Sequence, residues 1–195
     1  ASTDSGILVL ENLRESGYHG KPKGTLLDLA ACKLVWKILA QFHALSIPHM
    51  DQISARIDSL SVMDRSKDEW STEIFPRLVR KLKKHVLPSC SEDINEKFIA
   101  TTNDAGKVIN SGFFPNERGL NVLLHGDAHL SNMLFREDAQ NDKQEVKFID
   151  FQESRRGSPI IDLIYFTVVS VHFEIFDEHR EELFDLYVQE FNSTL

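Results

Sequence analysis

The residue types best able to do chemistry crowd into two short stretches, "LLHGDAHLSNMLF" (Leu123 to Phe135) and "FIDFQ" (Phe148 to Gln152). A loop that only has to turn uses Gly, Pro, Asn and Ser and has no need of two histidines and a carboxylate. In the first stretch Asp127 and Asn132 have four residues between them. The chemistry that calls for a carboxylate and an amide at this spacing is phosphoryl transfer. Asp127 would face an attacking hydroxyl and accept its proton, while Asn132, a few ångströms away, would reach a magnesium ion on the phosphates. Asp150, after the next apolar run, supplies a carboxylate for the other side of that ion. The three side chains therefore read as a base, an amide ligand and a carboxylate ligand at the ends of neighbouring strands.

The D-x-x-x-x-N spacing is that of a kinase catalytic loop. Alone it is a weak signal. It becomes a strong one as H-G-D-x-x-x-x-N between two apolar runs, followed by an apolar strand ending I-D-F. Two further stretches, "VKFIDFQESRRGSPIIDLIYF" and "LVLENL", complete a resemblance to the ecdysteroid kinase-like family, within the aminoglycoside phosphotransferase and choline kinase group of small-molecule kinases. The run I-D-F-Q-x-x-R-x-G-S-P-x-x-D-L-x-Y-F is the most specific part, and the similarity spans nearly all of the chain.

That resemblance implies a protein-kinase-like fold of the α+β class, mainly α, in which short β-strands of the C-terminal lobe carry the catalytic and metal-binding loops. It implies ATP, Mg2+ and a small-molecule alcohol, steroid-like or xenobiotic, as in detoxification. By the same resemblance Asp127 is the catalytic base, Asn132 and Asp150 are the metal ligands, and Glu11, Asn12 and Leu13 form a hinge whose backbone pairs with adenine. Leu134 lies under the adenine ring, and His125 and Asp162 support the catalytic loop. Members often carry an aromatic residue where this chain has His129, which is expected either to face solvent or to line the acceptor pocket. Only ten residues precede Glu11, too few for an N-lobe with its glycine-rich loop and lysine. The last pattern is still helical at Leu195. Residues 1–13 therefore read as a hinge-strand remnant and residues 14–195 as a C-lobe cut short, a portion expected to be inactive and poorly soluble by itself.

The elements that must position these groups are legible as patterns. "ILVLENL" (Ile7 to Leu13) reads as a short buried strand, and "ESGYHGKPKG" as a loop. Thr25 is placed to cap a helix running to Ser46, with Asp28 as its partner three residues on. That helix is apolar nearly all round, with a polar stripe of Lys33, Lys37 and Gln41, so it should be central and buried. "DEWSTEIFPRLVRKLKKHVL" is amphipathic, with Pro76 kinking it or marking its first turn. Ile94, Phe98 and Ile99 suggest another short helix. "NVLL", "NMLF" and "EVKFI" read as strands, the last two as a hairpin, and the chain is helical again after Pro159. Phe148, Phe151, Phe166 and Phe173 read as core residues, and His43 as the end of a core helix. Arg155 and Arg156 could attract phosphate or pair with nearby acids.

Composition sets outer bounds. In 195 residues, 42% are apolar, enough for one domain with a sizeable core. The net charge of −8 argues against a nucleic-acid partner, and the basic run Arg77 to Lys84 is explained by a solvated helix face. No apolar run approaches a membrane span, and no signal peptide is seen, so a cytoplasmic location is expected. Cys32 and Cys90 lack metal spacing, and Cys32 reads as a small buried thiol. Two other functional readings stay open: a metal-dependent phosphoesterase, suggested by "GDAH", and a catalytically inactive truncated chain or pseudokinase with a binding role. The oligomeric state is unknown from sequence.

Overall fold

The computed structural model describes residues 9–60, 75–85, 87–113, 119–138 and 143–195. Six helices and four short strands occur among them: α1 (Leu29–Ser46), α2 (Met50–Leu60), α3 (Phe75–His85), α4 (Glu92–Phe113), β1 (Val122–Leu124), β2 (Met133–Asp138), β3 (Lys143–Phe148), β4 (Arg155–Gly157), α5 (Ile160–Ser170) and α6 (Phe173–Thr194). The fold is mixed and mainly helical, as the sequence implies.

Helix α1 is the central element. Ala31, Cys32, Val35, Trp36, Leu39, Ala40 and Ala44 are buried on it, and so is His43. Its polar stripe is matched by acids on α6: Lys33 pairs with Glu182, and the Gln41 amide donates to Glu190 at 2.7 Å. Between these polar contacts the Trp36 ring meets Phe184 and Tyr187 edge to face, with centroids 5.2 and 6.4 Å apart. Such geometry suits the ring quadrupoles and adds to the area buried. The Trp36 indole N–H donates to Thr167 Oγ1 on α5 at 3.3 Å, so α1 touches both C-terminal helices through one side chain.

The cap of α1 differs from the expectation. Asp28 is the N-cap, its carboxylate accepting from Ala31 N–H at 2.9 Å, whereas the Thr25 N–H closes a turn onto Pro22. An ionised oxygen close to the first free N–H groups outcompetes a hydroxyl three residues upstream. Three other expectations are corrected. The described part of the first segment, Val9 to Leu13, is not strand, and Val9 and Leu10 are 86% and 76% exposed; no described strand lies beside them to cover them. The helix around Ile94 is long, 22 residues in α4. Phe151 and Phe173 are exposed, while Phe166 is core and Phe148 packs against it. Pro76 falls in the first turn of α3, where its missing N–H costs nothing. Of that amphipathic segment, Trp70 and Ile74 lie outside the described residues, as does Ile7 of the first.

Two antiparallel pairs carry the loops of interest. β2 and β3 form the expected hairpin, Met133 opposite Phe148 through Asp138 opposite Lys143. His19 bridges to Phe135 on the far side of β2, and the Tyr18 hydroxyl donates to Glu145 at 2.5 Å. β1 pairs with β4, a strand the sequence reading missed: Val122 faces Gly157 and Leu124 faces Arg155. Three residues with two arginines give no alternation to read. Gly157 stands where a Cβ would come within 2.7 Å of the Leu124 side chain.

The two thiols differ in their surroundings. Cys32 is fully buried, and loss of hydration pushes its thiol up to about 12, whereas Cys90 is half-buried. Because the thiolate is the reactive form, iodoacetamide at pH 8 should label Cys90 in the native protein and Cys32 only after unfolding. Peptide mass spectrometry of samples labelled with and without urea reads this directly.

Candidate active site

The loop between β1 and β2 is held from behind by one carboxylate. Asp162, in the first turn of α5, is fully buried. Its Oδ2 accepts from the His125 backbone N–H at 2.7 Å and its Oδ1 from the Gly126 N–H at 3.0 Å. His43 on α1 approaches the same Oδ2 with Nε2 at 3.2 Å, and the Tyr187 hydroxyl of α6 sits 2.9 Å from His43 Nδ1. A carboxylate can only accept, so His43 Nε2 carries a proton. A buried ion with three donors is tolerated where a bare one would not be. Burial, then the Asp162 charge, pushes the Tyr187 phenol up and keeps it protonated. The expectation that His43 ends a core helix is met, yet its role is larger. It ties α1 and α6 to the loop.

Gly126 adopts φ +85, and a Cβ there would lie 2.0 Å from the Glu153 carbonyl oxygen. Only glycine fits such a conformation pressed against backbone. Arg155 is buried and its Nη1 donates to the Glu153 carbonyl at 3.1 Å and the Gly126 carbonyl at 3.4 Å. It fastens two loops together, and the phosphate reading of this arginine loses support.

The His125 ring is enclosed, with Phe148 and Phe151 centroids 5.3 and 4.7 Å away. Its Nδ1 lies 3.3 Å from the Asp127 N–H and its Nε2 lies 3.0 Å from the Ile149 carbonyl. The first contact needs an acceptor nitrogen and the second a donor, which fixes the neutral form with the proton on Nε2. Burial lowers its basicity, opposed chiefly by the Asp162 charge. Both nitrogens are engaged with backbone, so neither is left for a metal.

Asp127 projects from this braced loop. Asn132 closes a 3-10 turn, Leu130–Asn132, and its Nδ2 donates to Asp127 Oδ2 at 2.9 Å and to the Asp127 carbonyl at 3.0 Å. The amide oxygen of Asn132 is thereby turned away from Asp127. The Ile149 N–H donates to the Asn132 carbonyl at 3.0 Å, and Asp150 follows with φ +64. Left-handed backbone is uncommon for a non-glycine residue, though Asp tolerates it better than most, and its presence marks a constrained position. Asp150 is exposed, and no hydrogen bond joins its carboxylate to another described residue. The Asn132 amide oxygen and the Asp150 carboxylate are two hard oxygen donors. No group of three or more His, Cys, Asp or Glu able to hold a metal occurs among the described residues. A site of this kind suits an ion that brings most of its own oxygens, as Mg2+ does with phosphates and water.

Two neighbours of Asp127 were not assigned from sequence. The Tyr165 hydroxyl, from α5, donates to Asp127 Oδ1 at 3.1 Å. Burial, then this hydrogen bond, raises the phenol and keeps it a donor. A tyrosine three residues after Asp162 lies on the same side of the helix, and that spacing was the available signal. His129 accepts the Ser131 N–H on Nδ1 at 3.1 Å, which leaves the proton on Nε2, 3.4 Å from Asp127 Oδ2. Tyr165 and His129 also line a cleft of about 240 Å³. His129, for which a solvent-facing or an acceptor-lining place was expected, is partly exposed and lines this cleft.

The residues expected to form a hinge stand elsewhere. Glu11 and Asn12 are exposed, and Asn12 opens a turn by accepting the Arg14 N–H at 3.3 Å. The Tyr18 N–H returns to the Leu13 carbonyl at 3.1 Å, and the chain then runs along β2, where Gly20 faces Leu134. Glu11 to Leu13 and Leu134 are thus joined through Tyr18 to Gly20.

A family model described as the ecdysteroid kinase-like family matches residues 1–195. No curated protein matches the chain. No helix among the described residues is long and apolar enough to cross a membrane.

Asp162→Ala should destabilise the protein by roughly 3 kcal/mol or more, since two backbone N–H groups and His43 lose their acceptor in a buried place. Urea unfolding of the two proteins gives the difference. A second outcome concerns pH. His125 binds a proton less readily folded than unfolded, so its contribution is complete above the ordinary value of 6.5 and is lost as pH falls below it. Stability measured from pH 8 to 5 should fall less steeply in His125→Asn than in the parent.

Proposed function

The chain belongs to the ecdysteroid kinase-like family, and on that premise we propose that it is a Mg-ATP-dependent phosphotransferase acting on the hydroxyl of a small molecule, a steroid-like or xenobiotic alcohol. Kinase activity in general follows from the family. The finer reading is supported above all by one observation: Asp127 Oδ2 receives the Asn132 amide nitrogen, which leaves the amide oxygen unused by Asp127, and the Ile149 N–H on the Asn132 carbonyl brings the backbone next to Asp150 to the same end of the hairpin.

When bound, Mg2+ neutralises charge on the β- and γ-phosphates. The chain's own residues do the rest. Asn132 and Asp150 are the residues that would hold it. Asp127 orients the acceptor hydroxyl and takes its proton as the oxygen attacks the γ-phosphorus; the new O–P bond forms, the bridge to the β-phosphate breaks, and ADP leaves with that electron pair. Asp162, His125 and Gly126 keep the base in place, which matters because this chemistry depends on positioning. The backbone of Glu11 to Leu13 pairs with adenine over Leu134.

The phosphoesterase reading has less support, since His125 has both nitrogens on backbone groups and His129 has Nδ1 on Ser131. Asp127→Asn in the full-length protein should cut turnover roughly 10²- to 10⁴-fold, the usual worth of a general base, with Mg-ATP affinity little changed. Asp150→Ala should instead weaken Mg-ATP binding and abolish transfer. Steady-state rates beside calorimetric Mg-ATP titrations separate the two roles, and near-normal turnover in Asp127→Asn would remove that residue from the mechanism.

A further inference from the structure

The two oxygens of Asp127 are not equivalent. Oδ2 receives the Asn132 amide at 2.9 Å and faces His129 Nε2 at 3.4 Å. Oδ1 has a single described partner, the Tyr165 hydroxyl at 3.1 Å. A base that must receive a proton from an alcohol needs one oxygen open to that alcohol, and Oδ2 is closed by the amide that also serves the metal. The contact at Oδ1, an O–H donating to a carboxylate, is the contact an acceptor alcohol has to make before transfer. Tyr165 is also the residue that separates Asp127 from the adjoining cleft, together with His129. On its other sides that cleft is lined by Lys23, Thr25, Leu26 and Val169.

We propose that this cleft receives the acceptor and that Tyr165 is a place-holding residue, whose phenol occupies the position of the acceptor hydroxyl on Asp127 Oδ1 and is displaced when the acceptor binds. The inference rests on the kinase reading and adds to it where the acceptor sits and what guards the base. At about 240 Å³ the cleft is smaller than sites that enclose a whole drug-sized ligand, so it takes the reacting end of the alcohol. Leu26 and Val169 make that end apolar around its hydroxyl, and Thr25 offers a second polar contact. Tyr165 is 38% exposed, at the surface of α5. In the empty site the phenol keeps water from Oδ1. Without it, a water molecule donates to Oδ1, attacks the γ-phosphorus, passes its proton to Asp127 and releases ADP and phosphate.

The test uses the full-length protein, its Tyr165→Phe variant and a Val169→Trp variant that fills the cleft. Each is assayed with Mg-ATP alone and with a hydroxysteroid, choline and 4-nitrobenzyl alcohol as acceptors. Tyr165→Phe should raise acceptor-free ATP hydrolysis and lower acceptor KM, each by roughly 3- to 10-fold, the worth of one exchanged hydrogen bond. Its melting temperature and Mg-ATP affinity should stay at the parent values. Val169→Trp should raise acceptor KM with Mg-ATP affinity unchanged. If Tyr165→Phe lowers kcat while hydrolysis and KM stay put, the phenol remains on Asp127 through transfer and the place-holding role is wrong. If Val169→Trp leaves acceptor KM untouched, the cleft is not the acceptor site. A parent protein that consumes no ATP with or without acceptor overturns the kinase reading as well; an active parent with unresponsive variants overturns this inference alone.

Discussion

The Asp162 carboxylate is the interaction on which the arrangement hangs. Its two oxygens take the first N–H groups of the loop that leaves β1, and one of them also takes His43. Each of those donors would be buried and unsatisfied without it, and unsatisfied buried donors are costly. The charge in turn needs all of them. Neither side is stable alone, so the loop has one favourable position relative to α5, and the side chain two residues further along is aimed by that choice. The same helix then presents Thr167 to the Trp36 indole, Ser170 to the Leu130 N–H and Tyr165 to Asp127. α5 is thus a polar rack whose side chains reach out in several directions, Thr167 into the core and Tyr165 toward the loop after β1.

The core supplies the stiffness that such a rack requires. Trp36, Phe184 and Tyr187 lock α1 to α6, and Tyr187 hands its hydroxyl to His43, which reaches Asp162. The chain of contacts from α6 to the loop after β1 is therefore continuous and buried. Such a path carries strain because packed groups do not compress. Lys33 with Glu182 and Gln41 with Glu190 sit at the surface of the same interface and set its register more than its strength.

Much of this was readable in advance, and the gaps have physical causes. Helical periodicity identified α1, and its narrow polar stripe marked it as central and buried; the acids of α6 that meet the stripe were not foreseen, because they lie 149 residues away in sequence. The β2–β3 hairpin was legible from two apolar runs about a turn signal. β4 was not, because a three-residue strand held by register with β1 has no pattern of its own. Asp127, Asn132 and Asp150 were legible from spacing, and the structure brings the first two into direct contact and the third within one residue of Ile149, which joins them through backbone. Tyr165 and His43 were missed as parts of the site because their partners are 38 and 119 residues away in sequence. Val9 and Leu10 show the converse error: apolar composition alone was taken for burial, and burial needs a neighbour.

The Ile149 peptide joins groups on both sides of the site. Its N–H is given to the Asn132 carbonyl and its C=O receives the His125 ring. The backbone that carries Asn132 and the backbone that carries Asp150 are consequently one rigid body, and Asp150 is left only the rotations of its own short side chain. For the ion proposed above, the spacing of the two side chains would be set before binding, and little chain entropy would be left to lose on capture. The same coupling works in reverse. A disturbance at the hairpin that slides β3 along β2 displaces Asp150, which follows β3, relative to Asn132, which precedes β2, so the spacing of the two side chains depends on that register.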